Sequence, residues 1–280
     1  MWPSDDTTSR IDELLRSGTV RAMPKEQDFH LAFKRALADV SPRIVTLDET
    51  GSTNDDARAL ARAGAPHMTV VVADTQSAAR GRLGRSWISD PMQALNASWI
   101  VRPERPVDTW TAIPLLAGVA VADAVKQRTH VEARLKWPND VRVGARKLAG
   151  ILTEAEVPDF VVVGLGMNVA QQSFDGDRAD AATSIAIEGG KRLDRPDLLA
   201  TTLKRFSDAL RDPAAALNHY RALCVTIGQT VRVERATGDP VGGFARAIDD
   251  TGALVVETSR GDVRVASGDV VHLRPEPLPG

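Results

Sequence analysis

The pattern of apolar residues changes once along this chain, and the change limits the folds that it can adopt. Up to about residue 226, segments with apolar residues at helical spacing alternate with segments typical of strands. From Gly228 onward only short β-rich segments remain, separated by Gly and Asp turns. We therefore predict an α+β domain with a mixed sheet and flanking helices, followed by a small β-domain.

The periodicity predicts the individual elements of both parts. Helices are predicted at 28–37, 57–63, 112–126, 196–211 and 213–223. Strands are predicted at 43–47, 69–73, 95–101, 133–136, 147–156 and 160–168, and the last three are expected to pair antiparallel because short turns join them. The C-terminal strands are predicted at 230–234, 242–248, 253–257, 261–266 and 270–273, as a small barrel, SH3-like or similar. The predicted units are a tail at 1–27, a larger domain at 28–226 and the barrel at 227–275.

Composition excludes several classes of protein. The 280 residues are 43% hydrophobic with a formal net charge of −2, so no overall positive field attracts nucleic acid or an anionic membrane. The single cysteine, Cys224, excludes an internal disulfide framework and is best read as a small buried apolar residue. The acidic, polar start lacks the features of a secretory signal, and the apolar run at 160–167 is too short to cross a bilayer. We expect a cytoplasmic protein without a membrane segment.

A cationic loop follows the second predicted strand. Arginines and glycines alternate there and a tryptophan closes the segment, with Arg80, Gly81, Arg82, Gly84, Arg85 and Trp87 in order. Arginine binds phosphate or carboxylate through two parallel hydrogen bonds, and glycine lets the backbone approach a ligand closely. The composition suits a loop that orders around an anion, although a solvated basic loop or a minor nucleic-acid patch has the same composition. The motif GxxxxGK[ST] of a P-loop is absent.

A second candidate region contains a lysine beside polar oxygen donors. Asn139 and Asp140 could hold a hydrated Mg²⁺, which prefers oxygen ligands and shares nucleotide phosphates. Lys147 begins an apolar strand, where a bound carboxylate or phosphate is a natural partner; a lysine whose amine extends to solvent is the alternative. Gly166 and Asn168 end the next strand, where glycine allows close approach of a ligand or of another strand. The scattered histidines have no metal-ligand spacing.

In this order, the motifs resemble those of the biotin protein ligases from about Asp48 to the C-terminus. The matching segments are 51–54, 74–76, 80–87, 136–140, 147–152 and 164–169. The resemblance implies the catalytic fold of the class II aminoacyl-tRNA synthetases with an SH3-like C-terminal barrel. It also implies an ATP-dependent ligase that converts biotin into biotinyl-5'-AMP and transfers it to a lysine of a biotin carboxyl carrier domain, presumed to be that of an acyl-CoA or pyruvate carboxylase.

The same resemblance implies roles for individual residues. Biotin would be bound by Ser52, Thr53, Asn54, Gln76, Arg80, Gly81, Arg82, Lys147 and Gly166. ATP would be bound by Arg82, Arg85, Trp87, Asn139, Lys147 and Asn168. Lys147, Arg82 and Asp140 would be catalytic, with Asp140 near the attacking lysine of the acceptor. Mg²⁺ would be held mainly by the substrate phosphates, with Asn139 and Asn168 as further ligands.

Two departures from the family pattern carry expectations of their own. Ala79 stands where glycine is usual, so the loop is expected to be slightly stiffer, because alanine resists positive φ. Only about fifty residues precede the Ser-Thr-Asn motif, without a recognition-helix pattern, so we expect a monofunctional ligase that does not bind DNA. A weak homodimer is left open, because edge-strand pairing cannot be judged from pattern.

Two other functions compete with this interpretation. A lipoate or octanoate transferase would share the fold, but the arginine-glycine loop and the segment 136–140 favour biotin. A module that binds single-stranded nucleic acid would need aromatic stacking platforms, and only 4% of the residues are aromatic.

Overall fold

The computed structural model describes residues 24–191, 193–235 and 238–272. Its helices are α1 (Pro24–Leu37), α2 (Thr53–Arg62), α3 (Ile113–Thr129), α4 (Arg195–Arg211) and α5 (Pro213–Leu223), with short 3-10 turns at Arg82–Gly84, Val107–Ala112 and Gly176–Arg178. The strands are β1 (Ile44–Thr50), β2 (Val70–Gln76), β3 (Ala94–Val101), β4 (Arg134–Lys136), β5 (Asp140–Val143), β6 (Arg146–Glu156), β7 (Phe160–Asn168), β8 (Thr230–Glu234), β9 (Val241–Ile248), β10 (Leu254–Thr258), β11 (Gly261–Val265) and β12 (Asp269–His272). Residues 1–23 of the predicted tail lie outside the described residues, and α1 begins before the predicted start at residue 28.

Seven strands form one mixed sheet in the order β1-β2-β3-β7-β6-β5-β4. Only β1 and β2 pair in parallel, and every other neighbouring pair in this sheet is antiparallel. The two faces of the sheet bury different side chains, because successive residues of a strand point to opposite sides. Val70 and Val72 join the large core under α3 and α4, whereas Val71 joins a smaller core under α2. The predicted mixed sheet with flanking helices is confirmed.

The pairing of β4 differs from the prediction. β5 was not predicted, because the sequence Pro-Asn-Asp favours a turn for local reasons. In the structure Asp140 follows that turn and starts a short strand that pairs with β4 on one side and β6 on the other. β4 and β6 therefore have β5 between them, and the prediction that neighbouring predicted strands pair directly is wrong at this position.

The five C-terminal strands form a separate antiparallel sheet in the order β11-β10-β9-β8-β12. Its strands match the predicted segments closely, but β11 and β12 are edges, so the described residues form an open sheet rather than a closed barrel. Trp137 joins this sheet to the larger unit, because its indole Nε1 donates to the Gly252 carbonyl at 3.0 Å. Gly252 has φ +87°, and a Cβ there would lie 2.6 Å from the Leu115 side chain. Glycine is required at this junction for both reasons.

The central helix α3 is the most apolar of the helices α1–α5. The segment Val107–Thr129 is long and apolar enough to cross a membrane by length and composition alone. Most of its residues are buried, and α3 packs against α4, α5 and the sheet, which is the environment of a core helix. Cys224 is a free, half-buried cysteine, and burial raises the pKa of its thiol, as predicted for a structural rather than a reactive residue.

Candidate functional site

A cavity of ≈310 Å³ opens between the start of α2, the ends of β2 and β7, and the arginine loop, residues 79–88. The sequence-predicted site residues all line this one cavity. They are Ser52, Thr53, Asn54, Gln76, Arg80, Gly81, Arg82, Arg85, Trp87, Asn139, Asp140, Lys147, Gly166 and Asn168. Segments more than a hundred residues apart in the chain therefore meet at one place.

The floor of the cavity is made by two adjacent strands with glycines at the same level. Gly150 of β6 is paired with Gly166 of β7. The Trp87 indole lies directly on Gly166, since a Cβ there would be 2.4 Å from Trp87 Cε2. The indole nitrogen donates to Asn96 Oδ1 at 3.3 Å. The two glycines thus give a flat floor that accepts an aromatic ring from the loop.

A polar wall is built at the start of α2. Gln76 Oε1 accepts hydrogen bonds from the backbone N–H of Thr53 at 2.9 Å and from its hydroxyl at 3.1 Å. This orientation leaves the Gln76 amide nitrogen as the donor toward the cavity. Ser52 is the N-cap residue of α2, and its side chain makes no capping hydrogen bond.

Asn54 is fixed in one orientation by its neighbours. Its Nδ2 donates to Glu154 Oε2 at 2.6 Å, and its Oδ1 accepts from the Ser98 hydroxyl at 2.6 Å. A Cβ on Gly164 would lie 2.1 Å from Asn54 Oδ1, so this strand position also requires glycine. Asn54 and Ser98 are buried, and their hydrogen bonds are correspondingly rigid. Sequence reasoning found Asn54 but missed Ser98 and Glu154.

The arginine loop closes on itself through backbone hydrogen bonds. The Gly81 N–H donates to the Arg85 carbonyl at 2.6 Å, and the Trp87 N–H donates to the Ala79 carbonyl at 3.0 Å. Among the described residues, positive φ in a non-glycine residue occurs at Met68, Met92 and His130 and not at Ala79. Alanine at position 79 is therefore unstrained, and the predicted stiffening by positive φ has no basis in this backbone.

Three cations around the cavity have carboxylate partners. Arg80 makes a bidentate pair with Asp55 at 2.6 and 3.0 Å. Lys147 Nζ lies 2.5 Å from Asp140 Oδ1. Arg85 pairs with Asp269, the first residue of β12 in the C-terminal sheet. Lys147 thus has a partner, as expected for a lysine at the start of an apolar strand, and that partner is Asp140.

Arg82 is the exception among the loop arginines. No hydrogen bond or ion pair engages its half-buried guanidinium within the described part of the chain. Burial lowers the pKa of Arg82, and the nearby charges of Asp269 and Asp140 only partly oppose this effect. Burying a cation without a counter-ion is unfavourable. An anionic ligand at this point of the cavity would supply the missing partner.

Asn139 and Asn168 both line the cavity, and the side-chain amide of each is held by a hydrogen bond from its Nδ2. Asn139 Nδ2 donates to the Ile151 carbonyl at 2.8 Å, and Asn168 Nδ2 donates to the Thr183 carbonyl at 2.9 Å. These bonds leave Oδ1 of each residue available to a ligand. The described residues contain no group of three His, Cys, Asp or Glu side chains able to hold a metal ion. The donor set therefore fits a Mg²⁺ that keeps most of its ligands on substrate phosphates or water.

The structure adds a wall that sequence reasoning missed. The segment 174–182 lies beside the start of β6, where Lys147 N–H donates to the Ala181 carbonyl at 2.8 Å. Arg178 connects this segment to the arginine loop by donating to the Ile88 carbonyl at 3.2 Å. Asp269 enters the cavity from the C-terminal sheet. None of these residues belongs to a local motif, so the only signal would have been their tertiary contacts.

Comparison with known proteins agrees with this geometry. Residues 48–168 match the model of the Biotin/lipoate A/B protein ligase family, and residues 226–273 match that of the Biotin protein ligase C terminal domain. The chain is 41% identical over 236 residues to the biotin--[acetyl-CoA-carboxylase] ligase of Mycobacterium tuberculosis, covering 81% of this chain and 87% of that protein. It is 34% identical over 240 residues to the bifunctional ligase/repressor BirA of Bacillus spizizenii, covering 81% of this chain and 73% of that protein.

A solved structure shows the same fold. The biotin protein ligase from Aquifex aeolicus in complex with biotin and ATP superimposes with a TM-score of 0.72 at 28% identity, covering 83% of this chain and 99% of the other. The matched ranges contain every predicted site residue and Asp269. The chain therefore belongs to the biotin/lipoate A/B protein ligase family and carries the C-terminal domain of its biotin protein ligases.

Proposed function

We propose that this protein is a biotin protein ligase. It activates biotin with ATP to biotinyl-5'-AMP and transfers the biotinyl group to a lysine of a biotin carboxyl carrier domain, as found in acyl-CoA and pyruvate carboxylases. The observation that carries the proposal is the half-buried guanidinium of Arg82, which has no hydrogen-bond or ion-pair partner among the described residues, in the cavity that also contains Lys147. Such a site favours a ligand whose negative charges lie deep between the loop and the sheet.

In the first step the biotin carboxylate attacks the α-phosphorus of ATP, and the bond to pyrophosphate breaks. No enzyme nucleophile is needed, because the substrate carboxylate is itself the nucleophile. The protein must hold two anions together and stabilise the charge of the pentavalent transition state, for which Lys147 and Arg82 are placed on the cavity wall. The wall of Ser52, Thr53, Asn54 and Gln76 would bind the polar end of biotin.

In the second step the amine of the acceptor lysine attacks the carbonyl carbon of the mixed anhydride, AMP leaves, and the nitrogen loses a proton. Asp140 lies beside Lys147 and is proposed to face that amine. Trp87 and Arg85 would cover the nucleotide, and the closed loop would keep water from the anhydride. Asn139 and Asn168 would help the substrate phosphates to hold Mg²⁺, which would supply charge neutralisation for the pyrophosphate that leaves in the first step.

A second cavity of ≈520 Å³ suggests where the acceptor approaches. Arg82 and Asn139 line both cavities, so the second one adjoins the first. Its rim includes Val107 and Val157, which are 42% and 59% exposed. Exposed apolar residues beside a reactive site are typical of a protein-binding surface. We place the carrier domain here.

The finer structural assignments belong to the same proposal. The larger unit, 28–226, would have the fold of the class II aminoacyl-tRNA synthetases, and the C-terminal unit, 227–275, would be an SH3-like barrel. Five short antiparallel strands and a register shift between β9 and β10 support the second assignment. A crystal structure in which β11 and β12 do not pair with each other would contradict this assignment. Three expectations stay predictions: that the protein does not bind DNA, that it forms a weak homodimer, and that it is cytoplasmic.

The direct test is incubation of the purified protein with Mg²⁺, ATP and biotin, with and without a biotin carboxyl carrier domain. We expect biotinyl-5'-AMP in the first case and a biotinylated carrier lysine in the second. Lipoate serves as the parallel substrate. Labelling by lipoate in place of biotin would make the protein a lipoate ligase, and the absence of adenylate from either acid would show that Arg82 binds another anion.

A further inference from the structure

A chain of contacts connects the polar wall of the cavity to the entrance of the arginine loop. Glu154, which holds the Asn54 amide, also pairs with Arg58 NH2 at 2.5 Å. Arg58 NH1 in turn lies 3.2 Å from Asp55 Oδ1, and both oxygens of Asp55 bind the Arg80 guanidinium. No contact in this series is longer than 3.2 Å. Charged side chains thus connect the arginine loop to the polar wall, in addition to the connection through the backbone.

The geometry of the pair between Asp55 and Arg80 is favourable. The two terminal guanidinium nitrogens of Arg80 each donate to a different carboxylate oxygen of Asp55, an arrangement stronger than a single contact. Asp55 lies in the first turn of α2, where the helix dipole stabilises a negative charge and the helix fixes its position. Arg58 and Glu154 are 24% and 27% exposed, so the pairs behind Asp55 are more shielded than the pair that faces the loop. Asp55 is therefore a partner fixed on a helix for a guanidinium of the loop.

This arrangement also changes the interpretation of Arg80. Its two terminal nitrogens are engaged by Asp55, and hydrogen bonding to Asp55 is the largest cause that raises the pKa of Arg80. Within the described residues, no carboxylate pairs with the Arg82 guanidinium of the same loop. Arg80 and Arg82 therefore have separate tasks: Arg80 fixes the position of the loop and Arg82 faces the ligand.

We propose that Asp55, held by Arg58, is a positioning residue that keeps residues 80–87 over the cavity before any ligand enters. A loop that is already placed loses less conformational entropy on binding, so ligand affinity is higher. Weakening the pair between Asp55 and Arg80 lowers the population of the placed loop. Loop order is a property of the protein alone, and only the kinetic consequence rests on the proposed ligase function.

The test is the variant Asp55→Asn, with Asp208→Asn as the matched control, because Asp208 makes an exposed pair with Arg211 on α4. Limited trypsin digestion of the full chain, followed by mass spectrometry, measures initial cleavage after Arg80, Arg82 and Arg85. We expect cleavage in the loop to rise about three- to tenfold in Asp55→Asn and to stay at the wild-type rate in Asp208→Asn. The substrate-free readout remains valid if the proposed reaction fails.

The kinetic readout separates positioning from chemistry. In Asp55→Asn the KM for biotin should rise by a factor similar to that of cleavage, while kcat for adenylate formation stays within about twofold. When Arg80 has already been replaced in Arg80→Gln, the pair with Asp55 is absent. Adding Asp55→Asn should then cause no further increase in cleavage after Arg82 and Arg85. Unchanged cleavage in Asp55→Asn, or an undiminished effect in the Arg80→Gln background, would overturn the proposal.

Discussion

The floor of the cavity and the loop above it are stabilised by different interactions. On the floor, taken together with the polar wall, Asn54 and Asn168 are 5% and 4% exposed and are held by hydrogen bonds, and β6 and β7 pair along their length. In the loop, Arg80 and Arg85 are 42% and 67% exposed and are held by ion pairs. Buried hydrogen bonds are rigid and insensitive to salt, whereas exposed ion pairs are weak and screened.

The difference suggests a division of labour. A floor with fixed geometry can hold reacting groups within the small tolerances that catalysis requires. A loop held by weak exchangeable pairs can open for substrates and for release of product. Substitutions on the floor should therefore affect chemistry or stability, and substitutions in the loop should affect affinity.

The largest effect is expected on the floor, from Lys147→Ala. The substitution removes the cation at the start of β6 and leaves Asp140 without that partner. Adenylate formation should fall at least about a hundredfold, because the transition state loses a direct electrostatic contact. Pyrophosphate release measures the rate. Lys126→Ala, which removes an exposed lysine paired with Glu132, is the control, and wild-type rates in Lys147→Ala would remove this residue from the mechanism.

The glycines of β7 allow a sharper comparison of floor and loop. A Cβ on Gly164 meets buried Asn54 at 2.1 Å, while a Cβ on Gly166 meets the loop residue Trp87 at 2.4 Å. Gly164→Ala should lower the free energy of unfolding by about 1–3 kcal/mol, because a packed core cannot accept the added methyl group without strain. Gly166→Ala should leave stability nearly unchanged and raise the KM for biotin about tenfold, because the indole is displaced with its loop.

Urea unfolding and steady-state kinetics on both variants test this assignment. Gly242→Ala is the control, since a Cβ there meets no atom within 4 Å. A loss of stability in Gly166→Ala as large as that in Gly164→Ala would mean that the loop is part of the rigid floor.

These contrasts also show which parts of the molecule can be predicted from sequence. Helices α4 and α5 have apolar residues at helical spacing, whereas α3 is a long segment that is apolar on all sides; all three were predicted within a few residues. The candidate site residues were predicted because they occur in short motifs whose order resembles a known family. Thr53 and Gln76 illustrate this, since both belong to such motifs and are hydrogen bonded to each other in the structure.

The partners of the site residues could not be predicted in the same way. Asp269 is separated from Arg85 by 184 positions, and Glu154 from Asn54 by 100, so no local pattern relates them. β5 was missed for a different reason: a short strand after a proline turn has too few residues for an alternating pattern. Local patterns locate functional side chains, while the charges that position them depend on tertiary structure.

Ionic strength should distinguish the two regions without any mutation. Raising NaCl from roughly 0.05 to 0.5 M shortens the screening length about threefold. Tryptic cleavage in the loop should rise several-fold, because the pairs of Arg80 and Arg85 are exposed. Amide hydrogen exchange in β7 should stay unchanged. Cleavage of an unstructured peptide at each salt concentration corrects for the protease itself, and equal salt dependence of loop and β7 would contradict the proposed difference.

The smallest effect is expected at the contact between the loop and the C-terminal sheet. Asp269 pairs with Arg85, and the phosphates of ATP would have to replace that carboxylate. Asp269→Asn should therefore lower the KM for ATP by about two- to threefold, which is the range expected for an exposed pair, and increase cleavage after Arg85. Asp262→Asn, which releases Arg246 on the same sheet, is the matched control. A rise in the KM for ATP would instead mean that Asp269 holds Arg85 in the orientation that binds phosphate. In that case the C-terminal sheet would be part of the ATP-binding site, and Asp269 would not compete with the phosphates for Arg85.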